Sequence, residues 1–107
     1  MNWKNFTSKA AAYKNITYRV TFRVQIKVNF GESICVLGSI PELGKWKEYK
    51  HHLKWTEGNI WESVSPLTTH SFFFQYKYAL LDKNATELIN WEKGIDRLAD
   101  LEIMPDY

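Results

Sequence analysis

One cysteine, three histidines and a formal net charge of +2 leave this 107-residue chain with few of the usual chemical tools. A lone cysteine excludes an internal disulfide, so the core must hold the fold. Cys35 lies inside the apolar run Ile34–Leu37. It reads as a small core hydrophobe, because a reactive thiol needs an exposed, electropositive setting. His51 and His52 are adjacent, so on a strand they face opposite ways, and His70 stands in the polar run Thr68–Ser71. No metal-ligand spacing results, and neither a metal nor another cofactor is expected. No motif singles out two of the twelve acids as the paired carboxylates of a glycosidase. Phosphate loops, nucleophile elbows and CxxC pairs are also missing, so no catalytic residue is assigned and no enzyme activity is expected. The small net charge calls for neither nucleic acid nor a membrane surface.

Long apolar runs are missing too. No stretch approaches the roughly 20 residues of a membrane span. Met1–Lys9 lacks an uninterrupted apolar core and a cleavage site, so the chain as given is expected to be cytoplasmic. The sequons at Asn5, Asn15 and Asn84 are then expected to stay unused. Charge is uneven along the chain. Residues 1–54 hold ten Lys or Arg and three acids, whereas residues 55–107 hold four and nine. Complementary halves that pair across one sheet assembly explain this, with a basic binding face as the alternative.

What is present is apolar alternation. Tyr18, Val20, Phe22, Val24, Ile26, Val28 and Phe30 alternate with polar residues over thirteen positions, the pattern of a half-buried antiparallel strand. Shorter strands are expected at Ile34–Leu37, His51–Trp55, Ile60–Ser65, Phe72–Leu81, Leu88–Trp91 and Leu98–Ile103, with 40–46 as a Pro/Gly-punctuated loop. About seven strands, close turns and no long helix predict a single all-β sandwich. Residues 1–14 read as an N-terminal tail or linker, and 15–107 as the domain. On Phe72–Leu81, Phe72, Phe74, Tyr76 and Tyr78 share one face, while Phe73, Gln75 and Lys77 take the other. Phe73 is expected to be covered by a sheet edge or loop.

Three separated segments carry groups suited to a sugar. Trp46, flanked by Lys45 and Lys47 in the loop, and Trp91, at a strand end before Glu92-Lys93-Gly94, offer flat apolar faces. Lys77 offers a donor. A pyranose ring packs its C–H face on an aromatic ring, and its hydroxyl rim needs hydrogen-bond partners.

The order Gly38-Ser39, Leu43-Gly44-x-Trp46, Tyr76-Lys77-Tyr78 and Trp91-Glu92-x-Gly94 before Arg97 resembles the starch-binding domain family, carbohydrate-binding module family 20, from about Tyr18 to Ile103. The resemblance implies an antiparallel, immunoglobulin-like β-sandwich of seven to eight strands. It implies non-catalytic binding of α-1,4-glucans: starch, glycogen or maltooligosaccharides. It carries a first sugar site onto Trp46, Lys77 and Trp91, with Asp96 where many members have asparagine. Asp96 serves either the sugar or Arg97. A possible second site falls on Phe30, Trp55 and Trp61, and Trp61 reads equally as core. Two alternatives stand beside glucan binding: a protein-interaction sandwich that has lost its sugar, and the targeting fragment of a starch- or glycogen-active enzyme. A linked or associated glucan-active enzyme is the implied partner.

Overall fold

A computed structural model describes residues 16–103. The tail assigned to residues 1–14 lies outside the described residues. Among the described residues nine strands follow one another: β1 Tyr18–Val20, β2 Arg23–Gln25, β3 Ser33–Gly38, β4 His51–Thr56, β5 Ile60–Ser63, β6 Leu67–Thr69, β7 Phe73–Leu81, β8 Leu88–Trp91 and β9 Arg97–Asp100. A 3-10 segment, Pro41–Trp46, sits between β3 and β4. All pairings are antiparallel. One sheet has seven strands in the order β2-β5-β4-β3-β7-β8, with β9 beside β8 along the same edge of β7; β1 and β6 form a second, two-stranded sheet. This is the antiparallel β-sandwich that the alternation and the family resemblance predict.

The thirteen-residue alternating strand is divided. β1 pairs with β6, and β2 pairs with β5 in the other sheet, so the chain changes sheets at Thr21-Phe22. A corner leaves backbone groups to be satisfied, and Ser63 satisfies them. The Phe22 amide donates to Ser63 Oγ at 2.9 Å, and the Ser63 amide donates to the Phe22 carbonyl at 3.0 Å. Phe22 itself is buried and packs edge-on against His51 and Tyr76, with centroids at 5.3 and 5.0 Å. Division of that strand, together with β6 in a stretch that reads as polar loop, brings the described strands to nine. Leu67 and Thr69 of β6 are both buried, a short alternation that two threonines conceal.

Two apolar clusters lie on opposite faces of the β3–β7 pair. The inner cluster, between the sheets, holds Phe22, Ile34, Val36, Leu53, Trp61, Phe74 and Tyr78 among others. The outer one holds Cys35, Leu37, Ala79 and Leu81, covered by Trp46, Tyr49, Ala85, Leu88 and Trp91. Cys35 is the expected core hydrophobe: it is fully buried, and burial pushes its thiol up to about 12. The Tyr78 hydroxyl donates to the Arg23 carbonyl at 3.1 Å. β2 and β7 are not neighbours in the sheet, so this bond ties its β2 edge across to the strand next to its other edge. Of the three ion pairs among the described residues, only Arg23–Glu62 at 3.3 Å joins the basic and acidic halves. The expected pairing of halves is therefore a minor feature of the fold.

Candidate functional site

The outer face of β7 carries Lys77 next to Ala79, and Ala79 is the register partner of Trp91 on β8. The 3-10 segment delivers Trp46 to the same place. Its backbone has three successive residues in the left-handed region: Gly44 at φ 79°, Lys45 at 48° and Trp46 at 65°. For the two non-glycine residues this costs on the order of 1–3 kcal/mol each. Backbone bonds hold the turn: the Lys45 amide donates to the Ile40 carbonyl at 3.2 Å, and the Lys47 and Glu48 amides to the Gly44 carbonyl at 2.9 and 3.1 Å. Gly38 lets the segment lie close. A Cβ there would meet the Gln75 carbonyl oxygen at 2.6 Å and Leu43 Cδ1 at 2.7 Å.

As a result the Trp46 and Trp91 rings meet edge to face, with centroids 6.3 Å apart and planes at 63°. Both are half-buried and rest on the outer apolar cluster. The pair forms a bent surface with one supported face per ring.

Lys77 is bound on two sides. Its Nζ donates to the Gly94 carbonyl at 2.6 Å and lies 3.6 Å from an Asp96 carboxylate oxygen. An ammonium has three N–H donors; Gly94 takes one, and the Asp96 charge attracts from beyond hydrogen-bond distance, so donors remain. Asp96 therefore serves Lys77 rather than Arg97. Arg97 is held by Glu92 instead, through Nε at 2.8 Å and a terminal nitrogen at 2.7 Å. That hydrogen bond, ahead of other influences, raises the guanidinium above its ordinary value. Glu92 also accepts from the Tyr78 amide at 3.3 Å, and Arg97 lies 5.5 Å from the Tyr78 ring centroid. Burial pushes the Tyr78 hydroxyl up to about 12, which keeps it neutral and donating. Residues 92–97 thus form a loop pinned at both ends by Glu92–Arg97 and in the middle by Lys77. Sequence reading finds the members of this brace but not their pairing, because Glu92 and Arg97 are brought together only by the turn at Gly94 (φ 100°).

The second predicted cluster lies at one end of the sandwich. Trp55 and Trp61 are register partners on β4 and β5 and so share a face. Trp61 is core: only 7% exposed, it donates its indole N–H to the Ile26 carbonyl at 3.2 Å. Trp55 stands at the rim, exposed, with its indole N–H on Asn59 Oδ1 at 3.1 Å. Phe30 projects from the Asn29–Gly31 turn and is 99% exposed. Together with Glu32 and Asn59, the three aromatics line an open groove of about 470 Å³. Trp61 closes its floor and presents no free stacking face.

His51 and His52 do take opposite faces. His51 Nε2 lies 2.8 Å from Ser63 Oγ in the interior, while the exposed His52 contacts the Tyr49 carbonyl. Among the described residues, no three His, Cys, Asp or Glu side chains group as a metal site. Phe73, expected to be covered, is 52% exposed.

A family model described as "Starch binding domain" matches residues 17–103. Among solved structures, the fold is similar to a glycoside hydrolase family 15 glucoamylase from Hypocrea jecorina, with a TM-score of 0.67 and 18% identity. That alignment covers 79% of this chain and 14% of the glucoamylase chain. At this identity the likeness speaks for the fold alone.

Proposed function

The chain belongs to the starch-binding domain family, carbohydrate-binding module family 20, whose members are non-catalytic α-glucan-binding modules, and we propose that its sugar-holding surface is Trp46 and Trp91 with Lys77 and Asp96. The observation that carries this reading is the edge-to-face tryptophan pair set beside a lysine with uncommitted donors. Each indole presents an apolar face to the C–H side of one pyranose ring. Planes set at 63° suit consecutive rings that turn relative to each other, as α-1,4 linkages make them, better than the flat ribbon of a β-1,4 chain. A free N–H of Lys77 donates to a ring hydroxyl, and the Asp96 carboxylate accepts from a neighbouring one. Both tryptophans are supported from behind, so little conformational entropy is lost when sugar docks.

A stacked ring buries little area, at about 25 cal/mol per Å². Affinity for short oligosaccharides therefore falls between roughly millimolar and micromolar. The Phe30–Trp55 groove is the second site of this reading, and it strengthens attachment to a polysaccharide through effective concentration. The module's role is then to hold a glucan for an enzyme, linked or associated, that acts on it.

Tryptophan fluorescence during titration with maltoheptaose, with cellohexaose as control, tests the proposal. A saturable change with the α-glucan alone supports it. Wild-type protein that does not respond to maltoheptaose, or a folded Trp91→Ala variant retained on starch as well as wild type, refutes it.

A further inference from the structure

The outward row of β7 does not stop at Lys77. Gln75 and Phe73 continue it toward the start of the strand, and β9 lies alongside with Leu98 opposite Gln75 and Asp100 opposite Phe73. Direct partners in an antiparallel pair share a face, so these four side chains form one outward patch. Phe73 and Leu98 are 52% and 59% exposed, large apolar groups left open in a sheet whose inner partners Phe74 and Ala99 are buried. The patch is a checkerboard. Phe73 and Leu98 are diagonal neighbours, and Gln75 and Asp100 occupy the other diagonal. Ser39 holds the Gln75 backbone through its own amide and hydroxyl, and the Gln75 side chain is exposed. One Asp100 oxygen accepts from the Glu102 amide at 3.2 Å.

We propose that Phe73, Leu98, Gln75 and Asp100 form an additional α-glucan subsite, continuous with the tryptophan pair, that engages chains longer than those the pair holds. The inference rests on the reading of Trp46, Trp91 and Lys77 as the sugar surface and extends it. Lys77 and Phe73 are four residues apart on one strand, roughly 13 Å at the strand rise. Gln75 lies between them on the same outward row, so the two places share one face of β7. Chemistry favours a sugar over a protein. The centre of a protein interface gathers apolar side chains and sheds charged ones. Here each apolar group has a hydrogen-bonding group directly across from it, which matches a ring with an apolar face and a hydroxyl rim. Phe73 supplies the stacking face, Leu98 widens it, and Gln75 and Asp100 meet hydroxyls.

The test compares maltotriose with a long linear amylose by calorimetry, using wild type and a Phe73→Ser/Leu98→Ser variant. Both replaced side chains are half open, and an unchanged denaturation midpoint confirms the fold. The expected result is equal affinity for maltotriose and a roughly three- to tenfold loss for the long chain, the size of one aromatic contact. Equal affinity of both proteins for the long chain overturns the subsite. If the variant keeps long-chain binding but loses a protein captured by the wild type, the patch is a protein surface and the proposal also falls. Wild-type protein that binds neither sugar refutes the underlying tryptophan reading instead, and is told apart by its silence toward maltotriose.

Discussion

Replacing Lys77 by methionine separates two contributions that the structure gives to one side chain. Methionine keeps the apolar stem and removes the ammonium. Lys77 is 17% exposed and Asp96 38%, so this contact sits at the edge of the interior. Its bond to the Gly94 carbonyl at 2.6 Å is charge-assisted, and such bonds contribute about 1.5–3 kcal/mol. The 3.6 Å pairing with Asp96 is partly screened by water and adds about 0.2–1 kcal/mol. Lys77→Met should therefore destabilise the fold by about 2–3 kcal/mol, and Asp96→Asn by less than about 1. The asymmetry is the informative part. If the loop is held mainly through the Gly94 carbonyl, the two variants differ in urea midpoint while the double variant resembles Lys77→Met. If they lose equal stability, the ion pair holds the loop and this reading of the geometry is wrong.

Binding adds a second readout from the same variant. Loss of one charge-assisted bond to a sugar hydroxyl weakens maltoheptaose binding by roughly 10- to 100-fold. Titration is done well below the urea midpoint, so that unfolding does not count as lost affinity. A folded Lys77→Met protein with wild-type affinity would show that no N–H of Lys77 reaches the sugar, and that Lys77 only positions the loop.

Two further outcomes concern the frame around the site. Gly38→Ala sets two effects against each other. Its φ is not left-handed, so a less flexible unfolded chain would favour alanine by about 0.4–1 kcal/mol. A Cβ 2.6 Å from a backbone carbonyl already bound to the Ser39 amide opposes that at about 1–3 kcal/mol. Net destabilisation is expected, with a drop of several degrees in melting temperature and displacement of Trp46, and a stabilised variant would refute the close packing. His51 gives a pH dependence. Burial, followed by the neighbouring His52, lowers its pKa below 6.5, so the unfolded chain takes up its proton first. The stability that neutral His51 contributes is present above about 6.5 and is lost as pH falls through its lower folded value. His51→Gln should flatten the midpoint-against-pH curve below about pH 6.5, and an unchanged slope would exclude His51 as its source.

Local pattern was enough to place most strands, as alternation where one face is buried and as short apolar runs between turn signals elsewhere. β3, β4, β7 and β8 follow it within one residue at each end. Where it failed, the reason is non-local. Tyr18–Phe30 alternates throughout, yet the strand breaks at Phe22, where Ser63, 41 residues away, supplies the corner's hydrogen bonds, and it ends at Gln25 rather than Phe30. β6 is concealed because one of its two inward side chains is threonine. Near Trp46, proline and glycines mark an irregular turn. The left-handed Lys45 and Trp46 follow from packing against β3 and β7, not from any preference of lysine or tryptophan.

For the candidate site the chemistry was more legible than the pairing. Aromatic faces, a lysine and an acid can be chosen from composition and order, and the structure places Trp46, Trp91, Lys77 and Asp96 in one region. Which acid meets which base cannot be read that way. Asp96 precedes Arg97 in the chain yet binds Lys77, while Arg97 turns to Glu92. On β9, Arg97 is the register partner of Tyr76, on the inner side of β7, so its guanidinium turns toward Tyr78. Asp96, one residue earlier, takes the outer side with Lys77. Parity along two paired strands therefore decides the electrostatics of the loop. The same parity exposes Phe73 and Leu98, the side chains that carry the added subsite.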